Sequence, residues 1–135
     1  MPVNSDLQGR TYPPTPPIRV ERERIREFAA AVLATDPDAA AAPPTFAIVV
    51  QQAALDALLA DPEAGFELRN VVHGEQRFAY ARPIVEGDVL TGTMTVTSVR
   101  SVGANAMLTA ETVIADAAGE TVVTATSMLL VGGGE

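Results

Sequence analysis

The chain has 135 residues, of which 47% are apolar and 19% are charged, and it contains no Cys, no Trp and no Lys. A chain of this length is expected to bury a core large enough to fold without disulfides or a structural metal. Its 17 acidic residues outnumber its nine basic residues, and the formal charge of −8 removes the attraction on which nucleic-acid binding depends. We therefore expect neither cysteine chemistry nor a DNA or RNA partner.

The apolar segments and the amino-terminal residues bear on localisation. Residues 1–6 lack a basic stretch followed by an apolar one, so no secretory signal is expected. The longest apolar stretch, residues 46–60, is interrupted by Gln51, Gln52 and Asp56 and is shorter than the roughly 18–20 residues of a membrane span. We expect a cytoplasmic protein with no membrane partner.

A proline-rich lead-in and an amphipathic helix come first in the chain. Residues 1–17 are expected to form an extended lead-in, because the prolines at 13, 14, 16 and 17 favour polyproline geometry. Apolar residues at helical spacing then predict a helix over residues 21–34. They are Ile25, Phe28, Ala29, Val32 and Leu33. The Arg/Glu run on its outer side is interpreted as a solvated face with weak charge pairs, the alternative being a docking patch for an acidic carrier.

The second predicted helix is the most informative element. Pro37 ends the first helix, and Asp36 before it is interpreted as a turn former. After the double proline at 43–44, Thr45 is expected to cap a helix that runs to about Leu59. This helix is apolar nearly all round, so we expect it to be enclosed.

Four segments rich in Val, Thr, Phe and Tyr predict strands at residues 66–82, 89–101, 105–116 and 121–131. Their short connections favour an antiparallel meander. With the enclosed helix, they predict the α+β hot-dog fold, an antiparallel sheet wrapped around a central apolar helix. We expect one hot-dog domain over residues 1–135, with a flexible tail at 132–135. Open sheet edges favour a partner subunit.

Four segments between residues 9 and 130 follow the order of a known family: residues 18–29 (IRVERERIREFA), 43–46 (PPTF), 76–78 (QRF) and 82–88 (RPIVEGD). In these segments the chain resembles the MaoC-like dehydratase N-terminal family, which includes the non-catalytic first subunit of (3R)-hydroxyacyl-ACP dehydratase. The resemblance implies a hot-dog subunit that pairs with a second one and helps to enclose an acyl-CoA or acyl-ACP thioester.

The resemblance also implies a chemistry. Removal of water from a 3-hydroxyacyl thioester needs a base for the C2 proton, an acid for the departing hydroxyl and a donor to the thioester oxygen. Catalytic members supply the acid and the base from a Gly-Asp-x-Asn-Pro-x-His loop, in which the His follows the Asp by five residues. Amides at the start of the central helix suit the third role.

The sequence departs from this loop. Asp36 lies near the expected place, but the residue five positions later is Ala41, and Pro43 stands five positions after Asp38. The segment contains neither the Asn nor the His. We therefore expect no catalytic residue in this chain, with catalysis supplied by another polypeptide.

His73, the single histidine, lies in the first long predicted strand. It is interpreted either as a surface or interface residue, or as a base assisted by Glu75 or by a carboxylate from elsewhere. Strand alternation predicts that His73 and Glu75 share one face and that Gln76 lies on the other. One His without Cys forms no metal-binding set, so neither a metal nor a cofactor is expected.

The candidate substrate-binding residues are Pro44, Thr45, Phe46 and Val49 at the start of the second helix, together with His73 and Gln76. The Thr45 hydroxyl is expected at the helix end that receives a thioester oxygen. The alternative for Phe46 and Val49 is a purely structural place in the core.

The sequence predicts the non-catalytic, acyl-binding hot-dog subunit of an R-specific 3-hydroxyacyl-thioester dehydratase or enoyl hydratase. It is expected to form a homodimer, or a heterodimer with a catalytic subunit. Two alternatives stay open. One is a homodimeric thioesterase or hydratase that uses His73 with Asp56 or Glu75, and the other is a dimer that binds an acyl ligand without chemistry.

Overall fold

The computed structural model describes residues 4–36, 39–65 and 67–132. The predictions for Phe66, for Pro37 and Asp38, and for the tail after residue 132 therefore lie outside the described residues. The elements are β1 (Ile18–Arg19), α1 (Arg22–Ala31), α2 (Ile48–Leu59), β2 (Val71–Tyr80), β3 (Val89–Val102), β4 (Asn105–Ala115) and β5 (Thr121–Val131). Short 3-10 turns lie at Ser5–Leu7, Pro44–Ala47, Pro62–Ala64 and Leu68–Asn70.

All five strands pair antiparallel in the order β1-β3-β4-β5-β2. β3, β4 and β5 form the predicted meander, but the expectation that β2 neighbours β3 is wrong. β3 pairs with β4 along one edge and with β1 along the other. Because neither edge of β3 is free, β2 pairs with β5 instead. The curled sheet with α2 against it is the predicted α+β hot-dog arrangement.

α2 packs on the sheet through one face. Its buried residues are Val50, Gln51, Ala54, Leu55 and Leu58. The opposite side is exposed at Gln52, Asp56 and Ala57. The predicted enclosure is therefore one-sided, because the sheet curls around α2 without closing over it. In the described part of the chain, no helix has the length and apolar character needed to cross a bilayer.

α2 lies close to the sheet at Gly92 on β3. A Cβ atom at this position would lie 3.0 Å from Val50 Cγ1 and 3.0 Å from Thr112 Cγ2. Such contacts are tighter than ordinary van der Waals packing. The position of α2 on the sheet therefore depends on residue 92 having no side chain.

α1 is shorter than the sequence predicts. It ends at Ala31, and Leu33 adopts a left-handed conformation with φ of 57°. Ile25 and Ala29 lie in the core as expected, but Val32 is exposed and Leu33 is 88% exposed. The prediction that Val32 and Leu33 belong to the apolar face of the helix is wrong, because the helix ends before these two residues.

The lead-in lies along the outer edge of β3. The amides of Gly9, Tyr12 and Thr15 donate to the carbonyls of Val96, Met94 and Gly92, at 2.7 to 2.9 Å. Leu7 is fully buried and anchors the segment in the core. With the edge of β3 covered in this way, β2 is the strand that forms the open edge of the described sheet.

A polar cluster holds the lead-in to the turn after α2. The Tyr12 hydroxyl donates to Asp61 Oδ2 at 2.6 Å, and Arg10 Nη1 donates to the same oxygen at 3.1 Å. Burial, together with the bond to Asp61, raises the pKa of Tyr12 to about 12. The same bond, with help from the Glu63 amide and Arg10, lowers the pKa of Asp61. At neutral pH a neutral phenol therefore donates to a charged carboxylate.

Replacing Asp61 by Asn is expected to lower the melting temperature at neutral pH and to have little effect in strong acid. Because folding lowers the pKa of Asp61, its contribution is present above the unfolded-state pKa of about 3.9 and is lost as the pH falls through the lower native value. Thermal unfolding followed across this pH range checks it. Glu63→Gln, which removes only an exposed partner of Arg10, is the control. A pH-independent difference between wild type and Asp61→Asn would contradict the assignment.

Gly92→Ala is expected to destabilise the protein by about 1–3 kcal/mol, because the added methyl group collides with the α2 interface. Denaturant unfolding measures the change. Gly74→Ala is the matched control, since its Cβ would make ordinary contacts of 3.6 Å or more. A change of at most about 0.5 kcal/mol is expected there. Equal stability of the two variants would show that α2 is not held against the sheet at Gly92.

Candidate functional site

An open cavity of about 340 Å³ lies where the start of α2 meets the end of β2. We call it the α2-entry cavity. Its lining residues are Ala42, Pro44, Tyr80, Ala81, Arg82 and Pro83. None of these described lining residues is Asp, Glu or His, so the wall is apolar apart from one phenol and one guanidinium group.

The chain that enters α2 is fixed to the connection between β2 and β3. Ala41 forms a β-bridge with Val85, and the Ala42 amide donates to the Ile84 carbonyl at 2.8 Å. Pro44 then begins the 3-10 turn that leads into α2. One wall of the α2-entry cavity is thereby held by backbone bonds.

Tyr80 places the principal polar atom in this cavity. Its hydroxyl donates to the Pro44 carbonyl oxygen. Burial raises the pKa of Tyr80, although a hydrogen bond from the Ala47 amide partly opposes the change. The phenol is therefore a neutral donor at neutral pH.

Arg82 joins two loops beside the cavity, the one before β3 and the one before β5, through salt bridges. Its Nη1 and Nη2 atoms bind the two oxygens of Asp88 at 2.9 and 3.1 Å, and Nη2 also binds Asp116 Oδ2 at 3.2 Å. Hydrogen bonds from the Glu120 amide and from Arg82 lower the pKa of Asp116. The positive charge of Arg82 is thus offset by two carboxylates.

Of the predicted binding residues, Pro44 lines the α2-entry cavity and Thr45 lies exposed beside it. The expectation that Thr45 caps the helix is wrong. The 3-10 turn has Pro43 at its cap position, and neither this turn nor α2 has a side-chain cap. Thr45 is the second residue of the turn, whereas a capping side chain comes from the residue before the first turn.

Phe46 and Val49 lie on the other side of this turn. With Arg24, Glu27 and Phe28 they line a second opening of about 250 Å³ between α1 and α2. Phe46 is fully buried and meets the Phe28 ring edge-on, with ring centroids 5.3 Å apart. Phe46 therefore has the structural place that the sequence left as an alternative, whereas Val49 is half-buried.

His73 and Gln76 lie together near the start of β2. His73 Nε2 is 2.8 Å from Gln76 Oε1, so the predicted separation of these residues onto opposite faces is wrong. The register shifts between His73 and Glu75, where Gly74 forms a bulge. The extra residue turns Glu75 to the far face, where it pairs with Arg77.

The orientation of the Gln76 amide determines the tautomer of His73. Gln76 Nε2 donates to the Arg77 carbonyl at 3.2 Å, so Oε1 is the atom that faces His73 and the Ser127 hydroxyl, which lies 2.5 Å away. An amide oxygen only accepts. With Oε1 facing the ring, His73 Nε2 is the donor in this contact, and in an uncharged ring Nδ1 is then the acceptor.

The six predicted residues thus fall in three places instead of one. Tyr80 is seven residues beyond His73 on the same strand, which corresponds to roughly 20 Å. Sequence reasoning missed Tyr80 and Arg82. The two-residue period from Gln76 through Phe78 to Tyr80, which places all three on one face, would have identified Tyr80. Within the described residues, no group of three or more His, Cys, Asp or Glu could hold a metal.

The chain is similar to known proteins in sequence and in fold. The family model for the FAS1-like, dehydratase domain region matches residues 7–125. A UPF0336 protein of Leifsonia xyli subsp. xyli is 59% identical over 148 aligned positions, covering 100% of this chain and 99% of the relative.

Two solved structures have similar folds. A chain of the C-terminally truncated HadBC (3R-hydroxyacyl-ACP dehydratase) complex from Mycobacterium tuberculosis has a TM-score of 0.78 and 28% identity, covering 93% of this chain and 97% of that chain. A MaoC-like dehydratase has a TM-score of 0.81 and 27% identity, covering 92% of this chain and 42% of that longer chain.

Nitrogen-15 NMR, recorded at a pH where the imidazole ring is uncharged, is expected to show the His73 ring hydrogen on Nε2. The sequence has one histidine, so its ring signals need no further assignment. Gln76→Leu removes the acceptor and is expected to restore a mixture of tautomers. Gln52→Leu, on the exposed side of α2, is the control. A wild-type ring protonated on Nδ1 would refute the contact.

Proposed function

Because the chain belongs to the FAS1-like dehydratase-region family of MaoC-like hot-dog proteins, we propose that it is the acyl-binding, non-catalytic subunit of an R-specific 3-hydroxyacyl-thioester dehydratase. In this proposal the whole chain forms one cytoplasmic hot-dog unit. It pairs with a second hot-dog subunit that supplies the acid and the base. The substrate is an acyl-CoA or acyl-ACP thioester.

The composition of the α2-entry cavity carries the proposal. It lies at the start of the central helix, whose amides suit the thioester oxygen, and a dehydratase also needs a base for the C2 proton and an acid for the hydroxyl. Its described lining offers a phenol with a raised pKa and an arginine engaged by two carboxylates. Neither group is a base at neutral pH. Asp36, the single acidic residue described between α1 and α2, is exposed.

The apolar wall suits an acyl chain. Ala42, Pro44, Ala81 and Pro83 present hydrocarbon surface to the α2-entry cavity, and burial of such surface favours binding by about 25 cal/mol per Å². The site can therefore hold an acyl group even without the groups that would transform it.

The uncovered edge of β2 supports pairing with a second subunit. Free backbone donors and acceptors along an edge strand favour addition of another strand. The lead-in already occupies the edge of β3, so β2 is the edge at which a partner sheet can add. The fold is also similar to that of a chain in the HadBC dehydratase complex. This chain covers 42% of the MaoC-like dehydratase chain, so the rest of that protein is longer than one such domain. This supports a domain that acts beside a second one.

The geometry around His73 does not favour the alternative in which it acts with a carboxylate. Its ring meets Gln76, Glu75 pairs with Arg77 on the opposite face, and Asp56 accepts from Gln52. The remaining alternative, a dimer that only binds an acyl ligand, is separated from the proposal by the following experiment.

The purified chain alone is expected to hydrate a short enoyl-CoA negligibly. Activity is expected when a hot-dog subunit that carries the Asp/His loop is added, because the acid and base then come from the partner. Absorbance of the enoyl thioester follows the reaction, and size-exclusion chromatography follows the complex.

Two results would contradict this proposal. Robust turnover by the lone chain that is lost in His73→Ala would assign the chemistry to this chain. Acyl binding without complex formation or turnover, with every loop-bearing partner tried, would favour the binding dimer.

A further inference from the structure

The α2-entry cavity has a polarity that distinguishes between acyl ligands. Its only described polar lining side chains are Tyr80 and Arg82. Arg82 is held by Asp88 and Asp116, so a free carboxylate that entered the cavity would meet two negative charges beside one positive charge. An uncharged carbonyl group meets no such repulsion.

The Tyr80 hydroxyl is a donor that can change partner. It donates to the carbonyl of Pro44, and Pro44 is itself exposed. When a ligand carbonyl takes this hydrogen bond, water can replace Tyr80 as the donor to the Pro44 oxygen, because the contact lies at an exposed position. Burial keeps the phenol in its neutral, donating form.

We propose that Tyr80 selects acyl thioesters, by donating its hydroxyl hydrogen to the thioester carbonyl oxygen while the hydrocarbon chain fills the α2-entry cavity. The corresponding free acid is excluded. This inference rests on the proposed function and names the residue and the ligand group through which the subunit binds its substrate.

Tyrosine fluorescence can locate the ligand. The sequence has no Trp and two tyrosines, and Tyr12 lies away from the cavity, where it binds Asp61. In Tyr12→Phe, Tyr80 is therefore the single reporter. Titration with S-hexanoyl-N-acetylcysteamine is expected to change its emission in a saturable manner, whereas hexanoate at the same concentrations is expected to leave it unchanged.

Calorimetry then tests the hydrogen bond. Tyr80→Phe is expected to weaken binding of the thioester about three- to ten-fold, as for loss of one neutral hydrogen bond. Tyr12→Phe is expected to bind like wild type. Ala81→Leu, which fills the cavity from a surface position, is expected to abolish binding.

The thioether S-hexyl-N-acetylcysteamine separates a direct contact from a structural effect. It has the same chain but no carbonyl, so Tyr80→Phe should not change its affinity if the hydroxyl binds the carbonyl. Equal losses for thioester and thioether would mean that Tyr80 acts only by holding Pro44, and would overturn the proposal. So would equal binding of hexanoate, no binding of the thioester, or full affinity in Tyr80→Phe. Thioester that binds equally well in Tyr80→Phe, or hexanoate that binds equally well, would overturn only the role of Tyr80, because the subunit role is tested separately by turnover with the added partner.

Discussion

The close approach of α2 to β3 at Gly92 is the contact on which the rest of the structure depends. Because a Cβ atom at residue 92 would lie only 3.0 Å from Val50 Cγ1, the helix lies close against the curled sheet, and its first turn reaches the end of β2. The α2-entry cavity exists because Pro44 and Tyr80 meet there. A small residue in β3 thus sets the position of a site that is formed by other segments.

The two edges of the sheet have different properties. One is covered by the lead-in, which is bonded to β3 through its backbone and tied down by Tyr12 and Asp61. The other is β2, whose outer backbone groups have no strand beside them in the described chain. An asymmetric sheet of this kind directs association to one edge, because the covered edge offers no row of free donors and acceptors.

Two arginines in the described chain join segments that lie outside the helices and strands. Arg82 joins the connection before β3 to the turn before β5, and Arg10 joins the lead-in to the turn after α2. In an acidic chain with few cations, both arginines are occupied by two carboxylates each. The charge beside the cavity at Arg82 is consequently net negative, which suits an uncharged carbonyl and hydrocarbon better than an anion.

Hydrophobic periodicity, turn residues and the apolar segment after the double proline were enough to predict the fold class, α2 and four strands, because these features depend on local spacing. The expectation that this chain lacks the Asp/His loop rests on residue types alone and stays a prediction. The place of β2 beside β5, the bulge that brings His73 to Gln76 and the meeting of Tyr80 with Pro44 were decided by tertiary structure. Each depends on which strand edge was left free, or on one extra residue that reverses the faces of a strand, and no spacing along the chain encodes either.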